Sequence, residues 1–447
     1  MLVSELFSKS LPAPDSVRDT LGRHILTDGY KIVLDMVESE GIYLKDAVSG
    51  KTYVDLFTFY ASNPLGMNHP KLRDNEPFKA RLLDAALNKV ANSDIYTRHF
   101  ARFIETFDRV GIPEELPHAF FVSGGALAVE NALKTAFDWK VRKNFQRGYS
   151  SERGHQIMHF EQSFHGRSGY TMSLTNTDPN KIAHFPKFDW PRIVNPHCNG
   201  PRDMEDIEER EEMALNQAKT FFHTNKDDIA AIIIEPIQGE GGDNHFRTSF
   251  LQALRTLADE NEALLIFDEV QTGVALTGTF WAYQGIGVTP DILAFGKKTQ
   301  VCGILAGRRV DEVDDNVFRK SSRINSTWGG NLVDMVRFDR ILEVIEEDEL
   351  IDNARDTGSY LLERLTALEE RFEAVTNPRG AGLMCAFDLP DTETRNEVRQ
   401  KAYEHGAIIL GCGPRSVRFR PSLCITPEGL DEGLEILEKA LVEVLET

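Results

Sequence analysis

The chain has 447 residues, of which 41% are hydrophobic and 27% charged, and its formal net charge at pH 7 is −20. This length exceeds one ordinary core, so we expect two or three domains with the composition of a soluble globular protein. The strong negative charge argues against nucleic-acid binding and against association with anionic membrane surfaces.

The spacing of the cysteines and the character of the first residues indicate in which cellular compartment the protein works. No two cysteines show CxxC spacing, which argues against a structural zinc site and is typical of a reducing cytosol. The first residues lack the basic flank and apolar core of a secretory signal, and no apolar run is long enough to cross a bilayer. We therefore expect a cytoplasmic protein without a metal site. The five cysteines are Cys198, Cys302, Cys385, Cys412 and Cys424.

The first third of the chain is mixed. Turn formers and apolar runs predict a strand, a turn and a strand over residues 35–46, and another strand over 50–56. Residues 60–66 read as a loop. From residue 70 to about 111 the apolar spacing is helical, with a break at residues 92–94.

A candidate phosphate-binding turn follows. A short strand over residues 118–122 leads through Ser123-Gly124-Gly125-Ala126 into a helix over residues 127–141. Such an arrangement aims free backbone N–H groups at an anion, and the helix N-terminus adds a partial positive charge. An ordinary strand-to-helix turn has the same pattern, and neither common nucleotide fingerprint is present.

Further strands end in polar residues. The strand over residues 156–160 runs into Ser163-Phe164-His165-Gly166-Arg167, whose aromatic pair and arginine could stack on a flat ring and bind a carboxylate. His165 could equally be an ordinary loop histidine. The strand over residues 228–234 ends at Glu235. Because strands alternate with helices from about residue 115 to 300, we predict a doubly wound, mainly parallel sheet.

Two more buried strands carry the most informative residues. One, over residues 264–267, ends at Asp268 and Glu269, and the other, over 291–295, ends at Gly296, Lys297 and Lys298. In open α/β sheets ligands bind at the carboxyl ends of strands. The acid and the amine could be an ion pair, or the Asp and Lys that a pyridoxal phosphate (PLP) enzyme needs for its ring nitrogen and Schiff base. A helix cap and a solvated lysine turn are the alternatives.

The last part of the chain reads as a long helical segment from residue 331 to about 373, followed by α+β structure with strands near 382–387, 407–410 and 417–419. We therefore expect a large domain over residues 71–330. The N-terminal part, residues 1–70, and the C-terminal part, residues 331–447, together form a small α+β domain.

Seven motifs occur in order along the chain: FVSGGALAVENALK, SFHGR, IIIEPIQGEGG, IFDEVQTG, DILAFGKK, NSTWGGN and VRFRPSL. Each is weak alone, but together they make nearly the whole chain resemble the class III, ω-amino-acid branch of the fold-type I PLP aminotransferases. AFGKKTQVCG and NSTWGGN are most similar to the subgroup that acts on L-lysine. The resemblance implies transfer of the lysine ε-amino group to 2-oxoglutarate, giving 2-aminoadipate 6-semialdehyde and L-glutamate, in a homodimer.

The resemblance also implies a cofactor site. Lys297, rather than Lys298, would form the Schiff base with PLP, and Asp268 would keep the pyridinium nitrogen protonated. The other implied cofactor contacts are the backbone of Gly125 and Ala126 at the phosphate, Phe164 stacked on the ring with His165 beside it, Gln271 at the phenolic oxygen, Glu235, and Ser326 and Thr327 from the partner subunit.

For the substrates, the resemblance implies that Arg167 binds the carboxylate far from the reacting amine. Glu240 and Arg418 would form a switchable pair, and Asn325 would be a further contact. The chain departs from the family pattern in four places: Ala126-Leu127-Ala128 lacks the usual hydroxyl, residues 297–303 lack the usual glycine run, the aromatic position of the NSTWGGN motif is Trp328, and Ser422 replaces a proline.

Other functions stay open at this point. The nearest is another ω-aminotransferase, acting on ornithine, 4-aminobutyrate or a diamine; Arg167 argues against a diamine, which has no distal carboxylate. A PLP racemase or aminomutase would use the same fold. A dinucleotide enzyme would need the G-x-G-x-x-G turn that is absent here, and a non-catalytic scaffold would have no reason to place a lysine beside a carboxylate.

Overall fold

The structure is a computed structural model that describes residues 11–446, so the first ten residues of the predicted N-terminal part lie outside it. Within the described chain the strands form three sheets. They are β1 (Tyr43–Lys45), β2 (Thr52–Asp55), β3 (His118–Val122), β4 (Gln156–Phe160), β5 (Arg192–Ile193), β6 (Ile229–Ile234), β7 (Leu264–Asp268), β8 (Ile292–Phe295), β9 (Cys302–Ala306), β10 (Thr376–Ala381), β11 (Met384–Asp388), β12 (Ala407–Ile408), β13 (Leu410–Cys412) and β14 (Ser416–Phe419).

The largest sheet has the order β3-β9-β8-β7-β6-β4-β5. Its neighbours run parallel except on either side of β9, which is antiparallel to both β3 and β8. Strands β6, β7 and β8 are buried along their whole length, because helices cover both faces and the strands are continuous apolar runs. The predicted doubly wound, mainly parallel sheet is confirmed, and β5 and β9 are the strands of this sheet that the apolar pattern did not reveal.

Helices surround the sheets. The longest in the sheet region, Gly125–Gln146, packs on β6, β8 and β9. The α-helices are Val17–Gly22, Pro70–Arg73, Glu76–Leu87, Arg98–Val110, Gly125–Gln146, Thr171–Leu174, Pro201–Glu205, Ile207–Thr224, Thr248–Glu260, Ala282–Ile286, Leu332–Glu347, Leu350–Arg371, Thr392–His405 and Pro427–Leu445. Short 3-10 turns are Pro14–Ser16, Pro179–Lys181, Lys297–Thr299 and Arg308–Glu312. In the described chain no helix is sufficiently long and apolar to cross a membrane.

Three predicted elements differ from the structure. The single helical segment expected after residue 331 is two helices, because the chain turns at Glu349, whose φ is 52°. The first of the two strands expected over residues 35–46 is absent, since Leu34 makes only one isolated bridge to Asp46. The strand expected over residues 407–410 is divided: β12 pairs with β2, and β13 pairs with β14.

The sheets meet around Arg420, just after β14. Its backbone N–H donates to the carbonyl of Leu56 (2.8 Å), beyond the end of β2. Its fully buried guanidinium donates hydrogen bonds to both carboxylate oxygens of Asp243, in the loop after β6. It also donates to Oε1 of Gln271 (2.9 Å), beyond β7. One buried cation therefore links parts of all three sheets.

Replacing Arg420 with methionine leaves Asp243 buried without its cation. We expect the free energy of unfolding to fall by about 3–5 kcal/mol, measured as a lower urea midpoint of the full chain. The control is Arg371→Met, because the exposed pair of Arg371 with Glu438 (2.9 Å) contributes about 1 kcal/mol at most. Equal losses in the two variants would contradict this role for the buried pair.

Candidate active site

The carboxyl ends of β4, β6, β7 and β8 meet the start of helix Gly125–Gln146 around a cavity of about 310 Å³. This is the edge at which ligands bind in open α/β sheets. Nine residues predicted for the site line this cavity. They are Gly125, Ala126, Phe164, His165, Arg167, Glu235, Asp268, Gln271 and Lys297.

Asp268 and His165 form the buried floor of the cavity. The Oδ2 atom of Asp268 lies 2.8 Å from Nδ1 of His165, and its Oδ1 atom accepts the backbone N–H of Val270 (3.1 Å). These two contacts fix the orientation of the carboxylate. The Nε2 atom of His165 is buried and has no hydrogen-bond partner in the described part of the chain. A carboxylate held in this way stabilises a positive charge on a neighbouring ring nitrogen.

The adjacent carboxylate, Glu269, serves the fold. It accepts the backbone N–H groups of Ala282 (2.6 Å) and Tyr283 (2.9 Å), at the start of a helix, and the hydroxyl of Thr272 (3.0 Å). Burial raises the pKa of Glu269 to about 7, although these donors act to lower it. Because successive side chains at a strand end point to opposite sides, only Asp268 faces the cavity.

The two adjacent lysines are separated in the same way. Lys297 lines the cavity, with φ of 55°, and its Nζ atom donates to the carbonyl of Tyr60 (3.1 Å). Burial, together with the positive charges of Arg418 and Arg420, lowers the pKa of Lys297 to about 8. Lys298 is fully buried and donates to the backbone carbonyl of Gln271 (2.8 Å), so its amine is turned away from the cavity.

The carbonyl of Tyr60 comes from an unusual turn. All four residues from Thr58 to Ala61 have positive φ, between 42° and 65°. L-residues avoid this left-handed region at a cost of roughly 1–2 kcal/mol each. The turn is held by Asp55, which accepts the N–H groups of Phe57 (3.0 Å) and Thr58 (2.7 Å). The sequence predicted a loop here, but nothing in it indicated this conformation.

The N-terminus of helix Gly125–Gln146 is shaped for an anion. Its first turn carries no acidic residue, so its free N–H groups and partial positive charge face the cavity unopposed. Gly166, with φ of 116°, packs so closely that a Cβ there would lie 2.5 Å from that of Ala126. The Phe164–Arg167 loop can therefore close against the helix start only because residue 166 is glycine.

Glu235 connects two loops at the cavity. Its Oε1 atom accepts the N–H of Phe164 (2.9 Å) and its Oε2 atom accepts the N–H of Gly239 (3.1 Å). Burial raises the pKa of Glu235 to about 7; His165 opposes this shift and Asp268 adds to it. These contacts place the aromatic ring of Phe164 at the cavity wall.

A cluster of charges lies beside the cavity. Arg418 is buried and donates to Oε2 of Glu240 (3.0 Å) and to Oε1 of Gln271 (3.1 Å). The other oxygen of Glu240 accepts a hydrogen bond from Lys181, whose amine lies 5.5 Å from the ring centre of Phe164. Burial acts to raise the pKa of Glu240, but Arg418 and Lys181 hold it below its ordinary value. Lys181 was not predicted, because a lone lysine in an irregular segment carries no signal.

Gln271 uses only the oxygen of its side-chain amide within residues 11–446. Its side-chain oxygen accepts from Arg418 and Arg420, and its amide nitrogen donates to no residue in the described chain. That nitrogen is the group left to contact a ligand oxygen. Arg167 is exposed at the cavity and forms no ion pair with residues 11–446, so its guanidinium is free to bind an anion.

Three predicted site residues do not reach the cavity of their own chain. Asn325 accepts the N–H of Ser326 (2.8 Å), and the hydroxyl of Ser326 accepts the N–H of Gly329 (3.1 Å). Thr327 is exposed. These contacts are local to the loop, so a single chain leaves this segment outside the cavity.

The residues present fit PLP. The helix start suits a phosphate, Asp268 suits a protonated ring nitrogen, and the cavity amine with a lowered pKa suits an aldehyde. The unpartnered Nε2 of His165 also leaves a donor or acceptor available beside the ring. Fold and site together define a PLP-dependent transferase of fold type I.

Comparison with known proteins agrees. Residues 26–441 match the family model described as aminotransferase class-III. The chain is 56% identical to the L-lysine-epsilon aminotransferase of Mycobacterium tuberculosis over 429 residues, 96% of each chain. It is 54% identical to that of Amycolatopsis lactamdurans over 447 residues, covering 98% of this chain and 99% of that one. The solved lysine aminotransferase from M. tuberculosis in the internal aldimine form is 55% identical, with a TM-score of 0.96 over 97% of this chain and 100% of that one.

The chain therefore belongs to the class-III aminotransferase family, as its motifs predicted, and PLP is its cofactor.

The lowered pKa of Lys297 predicts how the protein without cofactor captures PLP. Only the neutral amine attacks an aldehyde, so the capture rate should rise with pH and level off above about 8. At pH 6 it should be about 100-fold below the plateau, since one amine in about a hundred is then neutral. Stopped-flow absorbance measures the rate.

The controls separate the two lysines. Borohydride reduction followed by mass spectrometry should find the cofactor attached in Lys298→Met, with an unchanged pH profile, and not in Lys297→Met. A capture rate that keeps rising to pH 10 would show that Lys297 has an ordinary pKa.

Proposed function

We propose that the protein transfers the ε-amino group of L-lysine to 2-oxoglutarate and releases 2-aminoadipate 6-semialdehyde and L-glutamate. The observation that carries this proposal is the pairing of Glu240 with Arg418 beside the cavity, while Arg167 at the cavity has no ion-pair partner in the described chain. Such a site can bind one carboxylate or two. The similarity to L-lysine-epsilon aminotransferases supports lysine as the donor.

Lysine brings a single carboxylate, far from the reacting amine. Arg167 binds that carboxylate, and nothing on lysine meets Arg418. Buried as it is, Arg418 would then be an isolated cation, at a cost of several kcal/mol. Glu240 removes this cost by remaining paired with it.

2-Oxoglutarate brings a second carboxylate, next to the reacting carbonyl. This carboxylate takes the place of Glu240 on Arg418, where two N–H groups can meet two oxygens. Arg167 binds the distal carboxylate as it does for lysine. The same cavity thus accepts two substrates of different charge in turn.

When bound, PLP supplies an electron sink for the substrate carbon that carries the amino group. Lys297 Nζ would carry the proton released by that carbon to the cofactor carbon, and would carry one back in the reverse half-reaction. Asp268, oriented by His165, would balance positive charge on the ring nitrogen. The backbone of Gly125 and Ala126 would hold the phosphate, Phe164 would contact the ring, and the amide nitrogen of Gln271 would donate to the phenolic oxygen.

We also propose that the active unit is a homodimer in which Ser326, Thr327 and Asn325 complete the site of the partner copy. Their loop is outside the cavity of its own chain, and the turn at Ala126 lacks a hydroxyl for the phosphate.

We place the enzyme in the cytoplasm, since its free cysteines fit a reducing compartment. The pairing of β2 with β12 supports a small domain formed by residues 1–70 and 331–447, beside a large domain of residues 71–330.

The test is the absorption spectrum of the purified protein before and after L-lysine is added without any acceptor. We expect the visible band of PLP bound to Lys297 to disappear as the amino group of L-lysine passes to the cofactor. Addition of 2-oxoglutarate should restore the band. Ornithine and 4-aminobutyrate are run in parallel. If L-lysine leaves the band unchanged and one of these amines removes it, that amine is the donor in place of L-lysine.

Replacing Glu240 with alanine leaves Arg418 unpaired while lysine is bound but not while 2-oxoglutarate is bound. We expect the lysine half-reaction to slow by about 100-fold and the 2-oxoglutarate half-reaction by about threefold or less. Single-turnover absorbance measures each. Arg418→Gln is the matched variant, because it should impair the 2-oxoglutarate half-reaction more. Equal losses in both half-reactions would contradict the switch.

A further inference from the structure

Glu240 is held by two cations rather than one. Arg418 contacts its Oε2 atom at 3.0 Å, and Lys181 contacts its other carboxylate oxygen, Oε1. Lys181 belongs to the short turn Pro179–Lys181, and its side chain is 26% exposed. Its amine lies over the ring of Phe164, 5.5 Å from the ring centre, where it also meets Glu240.

The backbone of Glu240 is fixed. Its carbonyl accepts the N–H of Gly413 (2.9 Å), and the loop is closed by a bridge between Gln238 and Asn244. Gly241 packs so tightly that a Cβ there would lie 2.0 Å from the carbonyl oxygen of Gln162. Any movement of the Glu240 carboxylate away from Arg418 must therefore be a rotation of its side chain.

We propose that Lys181 is a positioning residue that holds the Glu240 carboxylate after a dicarboxylate substrate has displaced it from Arg418. This inference rests on the proposed function. With lysine bound, Arg418 and Lys181 share one anion. With 2-oxoglutarate bound, Arg418 takes the substrate carboxylate and Lys181 takes Glu240, so every charge keeps a partner. Without Lys181, the displaced carboxylate would lie beside an incoming anion with no cation.

The charges predict a selective effect. Removing Lys181 leaves the Glu240–Arg418 pair intact, so binding of a ligand with only a distal carboxylate should hardly change. The same change removes the cation that would hold the Glu240 carboxylate once it has left Arg418. A dicarboxylate must then displace Glu240 to a position without a charged partner. Lys181 thus favours the acceptor over the donor.

The experiment measures binding by isothermal titration calorimetry to the PLP-loaded enzyme. The probes are glutarate, a dicarboxylate without the reactive oxo group, and hexanoate, which has the six-carbon chain of lysine and one carboxylate. For Lys181→Met we expect glutarate to bind about fivefold to tenfold more weakly, the effect of a partly buried ion pair. Hexanoate should change by about twofold at most, and Lys181→Arg should restore glutarate binding.

A double-mutant cycle decides whether Lys181 acts through Glu240. In Glu240→Gln there is no displaced carboxylate, so adding Lys181→Met should not weaken glutarate binding further. The control Lys187→Met removes a lysine that donates to the carbonyls of Ile182 and Phe185 in the same segment, and it should leave both ligands unaffected.

Two results would overturn the inference. If Lys181→Met still weakens glutarate binding in the Glu240→Gln background, Lys181 contacts the ligand itself. If glutarate and hexanoate weaken equally, or Lys187→Met has the same effect, the segment acts through general folding or charge. These outcomes are distinct from failure of the proposed donor, which would appear as a spectrum that does not respond to L-lysine while the glutarate results stand.

Discussion

The structure depends on two buried arginines that need anions. Arg418 and Arg420 are two positions apart at the end of β14, so their side chains lie on the same side of the strand. Both donate to Oε1 of Gln271, and each has its own carboxylate, Glu240 for the first and Asp243 for the second. The loop after β6 and the segment after β7 are thereby held against the end of β14. The same requirement for charge neutrality organises both the junction of the sheets and the cluster of charges beside the cavity.

This concentration of positive charge also acts on Lys297. Its pKa is lowered first by burial and then by Arg418 and Arg420, which makes a neutral amine accessible near physiological pH. Arg418 and Lys297 are therefore electrostatically coupled. Glu240 moderates this coupling, because its charge opposes the two arginines at Lys297. The left-handed turn at Tyr60 adds a carbonyl that orients the amine.

The fold was predictable where a single physical rule governs a segment. Buried strands such as β6 and β7 are uninterrupted apolar runs, and their alternation with helices leads to a parallel sheet. Prediction failed where partners are distant or the break is conformational. The antiparallel direction of strand β9 is set by its pairing with β3 and β8. The helix breaks at Glu349, which has a positive φ, and no glycine stands there to predict the break.

The sequence by itself determined which chemical groups share one edge of the large sheet, because the carboxyl ends of parallel strands must meet there. A carboxylate, an amine and an anion-binding helix start were expected together, and they lie around one cavity. Only the tertiary structure decided between neighbours of the same type. Asp268 faces the cavity while Glu269 anchors a helix, and Lys297 faces it while Lys298 binds backbone carbonyls. Lys181 was invisible in the sequence, because its partner lies 59 residues away and only folding of an irregular segment brings the two charges together.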